Sequence, residues 1–270
     1  MGSAETRLPT PIVPSPVTEE RVERLSVEVY ADRAALGVAA GTAVANRMRE
    51  LLASQDGVRM VFAAAPSQAE LLATLVAARD VDWSRVTAFH MDEYVGLRPG
   101  DPQSFGRYLT TRLFAQVEPG NVHLIDGSAA PKEECERYVG VLLSEAVDII
   151  CLGIGENGHL AFNDPPFVDF DDAVAMKAVA LAPASRRQQV RDGCFAVLGD
   201  VPTHALTLTV PTLMAACEAH CVVPGFSKRA AVEQTLRGVI EPGCPASILR
   251  RHPCARLYLD RDSYTEAAAR

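Results

Sequence analysis

Segments typical of strands alternate with segments typical of helices along most of this chain. The strand-like runs include LSVEVY (25–30), RMVFAAA (59–65) and VDIICLGIG (147–155), and apolar residues recur at helical spacing over 32–55. The run at 147–155 is strongly apolar, as expected for a strand buried on both faces. This alternation predicts an α/β fold in which a mainly parallel sheet is flanked by helices on both faces.

Further segments extend the pattern. Ser67 is predicted to cap a helix over 67–78, with Glu70 in the capping-box position three residues later. RVTAFHMD (85–92) is predicted to be one strand, followed by a loop and a helix up to Phe114. The remaining predicted strands are 176–181, 204–210, 219–225 and 256–260, and the remaining predicted helices are 133–146 and 228–238.

The pattern predicts one domain. Residues 1–24 are polar and proline-rich and lack the basic start and apolar stretch of a secretory signal, so we expect a flexible lead-in. Residues 25–270 are expected to form a single α/β catalytic domain. Within it, 163–200 carries few periodic signals and is a candidate lid.

Charge and cysteine content restrict the function classes. The net charge is −8, which argues against a nucleic-acid partner because a duplex binder needs a basic face. No apolar run approaches the roughly 20 residues that a membrane span needs, so no membrane partner is expected. The seven cysteines are scattered, mostly within apolar segments, which favours reduced thiols in a cytoplasmic protein over a disulfide framework.

Two acidic residues end one of the predicted strands. Ligands of open parallel sheets bind beyond the carboxyl ends of the strands. FHMDEYVGL (89–97) places Asp92 and Glu93 at such an end, where a carboxylate beside a cleft can act as a general base. Burial would raise the pKa of Asp92 and make it a stronger base. That Asp92 caps the next turn or pairs with an arginine is an equally good interpretation.

A second candidate group follows the apolar strand at 147–155. His159 is a side chain that exchanges a proton near neutral pH, and Asp164 lies five residues later, where it could orient the imidazole. A structural histidine is the alternative. The glycines at 153, 155 and 158 match the spacing of a dinucleotide-binding loop, but residues 163–166 break the helix that such a loop requires.

A third group lies at the start of the predicted helix 228–238. Ser227 and Lys228 follow a strand there, and helix N–H groups beside a lysine suit an anion such as a sugar phosphate. A solvated lysine is equally compatible with the local sequence. The chain shows no serine nucleophile elbow and no spacing typical of metal ligands, so no metal is expected.

Taken in order, these segments resemble the glucosamine-6-phosphate deaminase/isomerase family, which is related to 6-phosphogluconolactonases. The resemblance extends from about Val27 to Asp260. The strongest pieces are MDEYVGL (91–97), GHLAFNDP (158–165), HALTLTV (204–210) and GFSKRAAV (225–232). The resemblance implies a Rossmann-like fold and an enzyme of amino sugar metabolism that needs no metal or organic cofactor.

The resemblance also assigns roles to residues. Asp92 matches the base that moves a proton between C2 and C1 of the open-chain amino sugar, and His159 matches the histidine that opens the pyranose ring. Asp164 stands where the family usually has a glutamate that orients this histidine. Asn157 replaces the aspartate of the family's Asp-Gly-His turn, and an asparagine cannot stabilise an imidazolium by charge.

The expected phosphate site departs further from the family. The early loop, AAPSQAE (64–70), keeps Ser67, followed by Gln68, but has Pro66 where the family has a glycine, which removes an N–H donor. Gly193 stands where the family has an arginine, although a neighbouring arginine can reach in. The resemblance therefore gives the substrate-binding residues as Ser67, Gln68, Gly158, Lys228, Arg187 and Arg191.

The predicted function is that of an aldose–ketose isomerase and deaminase. It would convert an amino-sugar phosphate, or a related amino sugar, into a ketose phosphate and ammonia. Two alternatives stay open: a lactone hydrolase of the 6-phosphogluconolactonase type and a non-catalytic sugar-phosphate sensor. The resemblance is also compatible with a homo-oligomer. Asp92 distinguishes the isomerase and deaminase from the lactone hydrolase, because only isomerisation requires a base at C2.

Overall fold

The computed structural model describes residues 13–265, and this part of the chain forms a layered α/β structure. Its strands are β1 (Thr18–Val22), β2 (Leu25–Tyr30), β3 (Val58–Phe62), β4 (Val86–His90), β5 (Asp92–Tyr94), β6 (Asn121–His123), β7 (Ile149–Leu152), β8 (Met176–Ala180), β9 (His204–Leu208), β10 (Glu218–Val223) and β11 (Ala255–Asp260).

The α-helices alternate with these strands. They are α1 (Arg33–Ser54), α2 (Ala69–Ala77), α3 (Phe105–Leu109), α4 (Ala115–Val117), α5 (Pro131–Leu142), α6 (Pro183–Arg191), α7 (Val210–Met214) and α8 (Arg229–Arg237). A π-helical turn, Thr110–Phe114, joins α3 to α4. Among the described residues, no helix is both long enough and apolar enough to span a bilayer.

The main sheet has eight strands in the order β1-β2-β11-β10-β7-β3-β4-β6. All neighbours are parallel except the edge pair β1 and β2. Residues of β3 alternate between two apolar clusters, since Met60 and Phe62 pack with α1 and α2 while Val61 packs with α5 and α8. The predicted parallel sheet with helices on both faces is confirmed.

A second sheet of three antiparallel strands, β5-β9-β8, lies outside the main one. The predicted single strand 85–92 is therefore wrong at its end: β4 stops at His90, and Asp92 starts β5 in the other sheet. The chain changes sheets at Met91, immediately before the candidate base. Leu208 donates to the Met91 carbonyl at 2.9 Å, which ties the crossing point to β9.

Close packing of α1 on α2 positions the loop that precedes α2. Asp32 caps α1 by accepting from Ala35 N. A Cβ added to Gly37 would lie 2.1 Å from the Glu70 Cβ, so only glycine permits this approach. The predicted capping role of Ser67 is wrong, because Pro66–Gln68 form a 3₁₀ turn and no side chain caps α2.

Two other expectations concern less regular segments. The predicted lead-in is wrong for Thr18–Val22, which pairs with β2; residues 1–12 of it lie outside the described part. The candidate lid 163–200 contains β8 and α6, and its closing motion stays a prediction.

Candidate active site

A cleft opens at the carboxyl ends of β3, β4 and β7, and it brings the predicted acid and histidine together. Asp92 and His159 both line this cleft, which measures about 600 Å³ including its open mouth. Open parallel sheets usually bind their ligands at this edge, beyond the carboxyl ends of the strands. The cleft is also lined by residues 63–66 and 153–155 and by Phe105 and Phe162.

Asp92 lies in the cleft as a buried carboxyl group. Its side chain is 7% exposed, and no group of residues 13–265 forms a hydrogen bond with it. Burial raises the pKa of Asp92 well above its ordinary value, and the neighbouring charge of Glu93 adds to the effect. A carboxylate without a partner and with a raised pKa is a strong base aimed at a ligand.

Glu93 does not line the cleft. Adjacent residues of a strand point to opposite faces, and Glu93 accepts hydrogen bonds from the backbone N–H groups of Tyr94, Phe105 and Gly106 at 2.9, 3.1 and 3.0 Å. Burial raises its pKa to about 7, although these hydrogen bonds lower it. The structure therefore places Glu93 as an anchor for the start of α3 and not as a reacting group.

The His159 imidazole lies directly against the backbone of Gly155. A Cβ on Gly155 would be 2.1 Å from the ring Cε1 and 2.3 Å from Nε2. The Gly155 N–H also donates to the His159 carbonyl at 3.0 Å, so the turn closes on itself. The glycine is required by the close approach of the ring.

A polar cluster holds the Nδ1 edge of the His159 ring. Nδ1 of His159 lies 2.6 Å from Oδ1 of Asn157, 3.2 Å from the Ser185 hydroxyl and 3.3 Å from Oδ1 of Asp164. These acceptors favour a proton on Nδ1, which leaves Nε2 available for substrate. Asp164 also accepts from the Ser185 hydroxyl and from Ala182 N.

Asp164 keeps its charge in this buried cluster. Burial by itself raises the pKa of Asp164, but hydrogen bonds with His159, Asn157 and Ser185 and the attraction of the imidazole outweigh it, and the pKa is lowered well below its ordinary value. The carboxylate can therefore stabilise an imidazolium formed at His159. Asp164 thus lies against Nδ1 of His159, where the predicted orienting role would place it.

Asn157 connects the histidine to this carboxylate. Its Oδ1 accepts from the ring, while its Nδ2 donates to Oδ1 of Asp164 at 3.0 Å. A carboxylate at position 157 has no proton to donate and would place a second negative charge against Asp164. The amide is thus the side chain that satisfies both neighbours, which explains why this turn is Asn-Gly-His.

Replacing Asn157 by aspartate is expected to destabilise the protein at pH 8 by about 1–3 kcal/mol, because a buried donor is lost and two carboxylates face each other. Such a pair raises the pKa of one member, so the destabilisation shrinks toward pH 5, where that member is protonated. Urea unfolding at both pH values measures the difference. The exposed Asn121→Asp is the control, and equal stability of Asn157→Asp and wild type at pH 8 would contradict the assignment.

Five polar side chains form another side of the cleft, and we call them the polar wall: Ser67, Gln68, Gln189, Asp192 and Lys228. Lys228 is 7% exposed. Burial lowers its pKa, while Asp192 and Glu156 act in the opposite direction. The predicted binding residues Ser67, Gln68 and Lys228 are thus brought together with His159 and Asp92.

The remaining predicted binding residues lie elsewhere. Arg187 is exposed and does not line the cleft, and Arg191 forms an ion pair with Glu156. Gly158 has φ +83° and packs against Cys244, so its role is to form the turn. Sequence reasoning missed Ser185, Gln188, Gln189 and Asp192, all on α6 or at its end; the paired glutamines within the candidate lid were the available signal.

Comparisons with known proteins identify the family of this chain. A family model described as glucosamine-6-phosphate isomerases/6-phosphogluconolactonase matches residues 31–258. Glucosamine-6-phosphate deaminase of Listeria innocua is 36% identical over 198 residues, which are 73% of this chain and 82% of the relative. The deaminase of Bacillus thuringiensis is 36% identical over 186 residues, 68% of each chain.

Solved structures of this family have a similar fold. A monomeric glucosamine-6-phosphate deaminase superposes with a TM-score of 0.81 at 26% identity, covering 88% of this chain and 98% of that one. A 6-phosphogluconolactonase from Thermotoga maritima shares the fold, with a TM-score of 0.71 at 19% identity, over 88% of this chain and 100% of that one. The chain therefore belongs to the glucosamine-6-phosphate isomerase/6-phosphogluconolactonase family.

Proposed function

We propose that this chain is a deaminating aldose–ketose isomerase of amino sugars, of the glucosamine-6-phosphate deaminase type. The observation that carries the proposal is the shared cleft: an unpartnered carboxylate with a raised pKa, Asp92, and an oriented imidazole, His159, line the same space. The relatives named as glucosamine-6-phosphate deaminases support the same activity.

The first step assigned to the site is ring opening. Nε2 of His159 takes the proton of the C1 hydroxyl and returns a proton to the ring oxygen as the C1–O5 bond breaks. The Asp164 carboxylate stabilises the imidazolium formed in between, and Asn157 and Ser185 hold the ring. The product is the open-chain amino aldehyde.

The second step belongs to Asp92. Its carboxylate removes the proton from C2 and delivers one to C1, while a proton passes from the amino nitrogen to the C1 oxygen, so the C1 carbonyl is reduced to an alcohol and C2 is oxidised to a ketimine. Water then adds to the C=N bond, and ammonia leaves as the C2 carbonyl forms. The raised pKa of Asp92 favours the proton abstraction from carbon.

The structure favours this reaction over the alternatives weighed from the sequence. Lactone hydrolysis requires no proton transfer at C2 and would give the buried Asp92 no task. A non-catalytic sensor would gain nothing from an unpartnered carboxylate, which is costly to keep in a buried site. The dinucleotide interpretation is disfavoured, because residues 156–159 form a turn and not the start of a helix.

Two assays on the purified protein test the proposal. Ammonia release is measured with glucosamine, galactosamine, mannosamine and their 6-phosphates, and proton exchange at C2 is followed by NMR in D₂O. We expect both signals with at least one hexosamine. A folded protein that binds a hexosamine but shows neither ammonia release nor exchange would refute the proposal.

A further inference from the structure

The polar wall has the hydrogen-bonding pattern of a site for a hydroxyl group. We infer that it receives a hydroxyl of the sugar and not a phosphate dianion, so that the preferred substrate is an amino sugar without a phosphate ester. This inference rests on the proposed function and narrows its substrate class. It is carried by the charges of the wall, the Gln68 amide, the arginines that are engaged elsewhere and the loop before α2, taken in turn below.

The wall carries one charge of each sign. Lys228 supplies one positive charge and Asp192 one negative charge to the same cleft, and Asp192 is close enough to raise the pKa of Lys228. Within residues 13–265 the two do not form an ion pair. A hydroxyl accepts from an ammonium and donates to a carboxylate at once, whereas a phosphate dianion satisfies the first and is repelled by the second.

Gln68 adds a neutral amide to the wall. Its side chain is 1% exposed, and its Nε2 donates to the Val222 carbonyl at 3.2 Å. That bond fixes the amide orientation, so Oε1 must act as an acceptor, and no donor of the described chain reaches it. The Gln68 amide is neutral and fixed in place, so it brings no positive charge to this side of the cleft for a phosphate dianion.

The cations that a phosphate site needs are engaged elsewhere. Arg191 pairs with Glu156, and Arg33, beside the Pro66 loop, pairs with Glu70. Arg186 donates to the carbonyls of Leu198 and Val201. Phosphate recognition usually relies on several charge-assisted bonds, often from a planar guanidinium. Lys228 is the cation that lines the cleft among the described residues.

The loop before α2 is likewise poorly suited to an anion. Pro66 has no N–H to donate, and Gln68 N is used within the 3₁₀ turn, donating to the Ala65 carbonyl at 2.9 Å. The starts of α2 and α8 lie at this side of the cleft and favour a negative charge. Asp192 supplies such a charge from within the chain, which leaves less demand for an anionic ligand.

Binding of unreactive analogues tests the inference independently of catalysis. The probes are 2-amino-2-deoxyglucitol and its 6-phosphate, open-chain analogues without a carbonyl group that therefore cannot react. Isothermal calorimetry on the full chain is expected to give a Kd for the unphosphorylated analogue that is lower by about tenfold or more. Equal binding of the two, or tighter binding of the 6-phosphate, would overturn the inference.

A substitution in the wall tests the cause of the preference. Asp192→Asn is expected to weaken the unphosphorylated analogue and to strengthen the 6-phosphate, each by about tenfold, because it removes the repulsive charge and one acceptor. Asp200→Asn, at an exposed position shortly after α6, makes the same charge change outside the cleft and should leave both Kd values unaltered. If Asp192→Asn leaves the ratio of the two Kd values unchanged, the inference fails.

Ammonia release separates this inference from the proposed function. Faster turnover of glucosamine 6-phosphate than of glucosamine would uphold the deaminase and overturn the inference. A clear binding preference for the unphosphorylated analogue, without ammonia release from any hexosamine, would refute the deaminase and still support the assignment of the polar wall.

Discussion

Asp92→Asn is expected to lower kcat for ammonia release by about 10²–10⁴-fold, the range typical of a general acid or base. The amide has nearly the shape of the carboxyl group but cannot take the C2 proton. Exchange of that proton with D₂O should be lost to the same degree, whereas the Kd for an unreactive analogue should change little. Proton exchange at the wild-type rate would remove Asp92 from the mechanism.

The same substitution is expected to stabilise the fold at neutral and higher pH. The pKa of Asp92 is raised in the folded chain above its ordinary value of 3.8, so the folded state holds this proton more tightly than the unfolded state does. The free energy of unfolding that Asp92 contributes in the wild type is fully present below pH 3.8. It is lost as the pH rises through the folded-state pKa. Asparagine does not titrate, so the gain in stability of Asp92→Asn over wild type should appear above pH 3.8 and grow with pH.

Thermal unfolding at pH 4 and pH 8 measures this effect. The exposed Asp171→Asn is the matched control and should show no such pH-dependent gain. A variant that loses activity and gains stability is the signature of a site whose strain serves catalysis. A variant less stable than wild type at pH 8 would contradict the unpartnered state of Asp92.

Gly155→Ala is expected to lower kcat/KM for the ring-closed sugar by about 100-fold, because the new methyl group would occupy the position of the His159 imidazole. The added Cβ would lie 2.2 Å from Nδ1, so the ring must leave its position beside Asn157 and Ser185. Gly155 does not have a positive φ, and the backbone itself accommodates alanine.

Two measurements assign the loss to the histidine. The His159 ring resonances should shift in NMR spectra of Gly155→Ala, while thermal unfolding shows that the fold persists. Gly140→Ala is the control, since a Cβ there meets nothing within 4 Å. Unchanged kcat/KM in Gly155→Ala would show that the ring position is irrelevant to turnover.

The parts of the fold visible in the sequence are those set by local apolar patterns. The buried strands β2, β3, β7, β10 and β11 follow from their β-branched and aliphatic runs. β1 did not, because TEERV is a polar edge strand with an alternating half-buried face. The switch of sheets at Met91 was also missed, since β5 is defined by pairing with β9, more than 100 residues away.

The site residues that could be predicted are those whose side-chain type and position at a strand end or helix start indicate a chemical role. Asp92, His159, Asp164 and Lys228 stood at strand ends or helix starts, and the structure brings them to one cleft or to its supporting cluster. Ser185 and Asp192 carried no local signal, because their proximity to His159 and Lys228 depends on how α6 packs. Arg187 and Arg191 were placed by family analogy, and the orientation of α6 takes them away from the cleft.

A short segment, α6 with the residue that follows it, serves both halves of this site. Ser185 near the start of α6 holds the histidine cluster, and Gln189 and Asp192 at its other end belong to the polar wall. Exchange of residues 176–192 between homologues would therefore change the sugar preference and the support of the imidazole together. Directed evolution of a new sugar specificity in α6 should consequently be screened for turnover as well as for affinity, since a helix shift that admits the new ligand also moves Ser185.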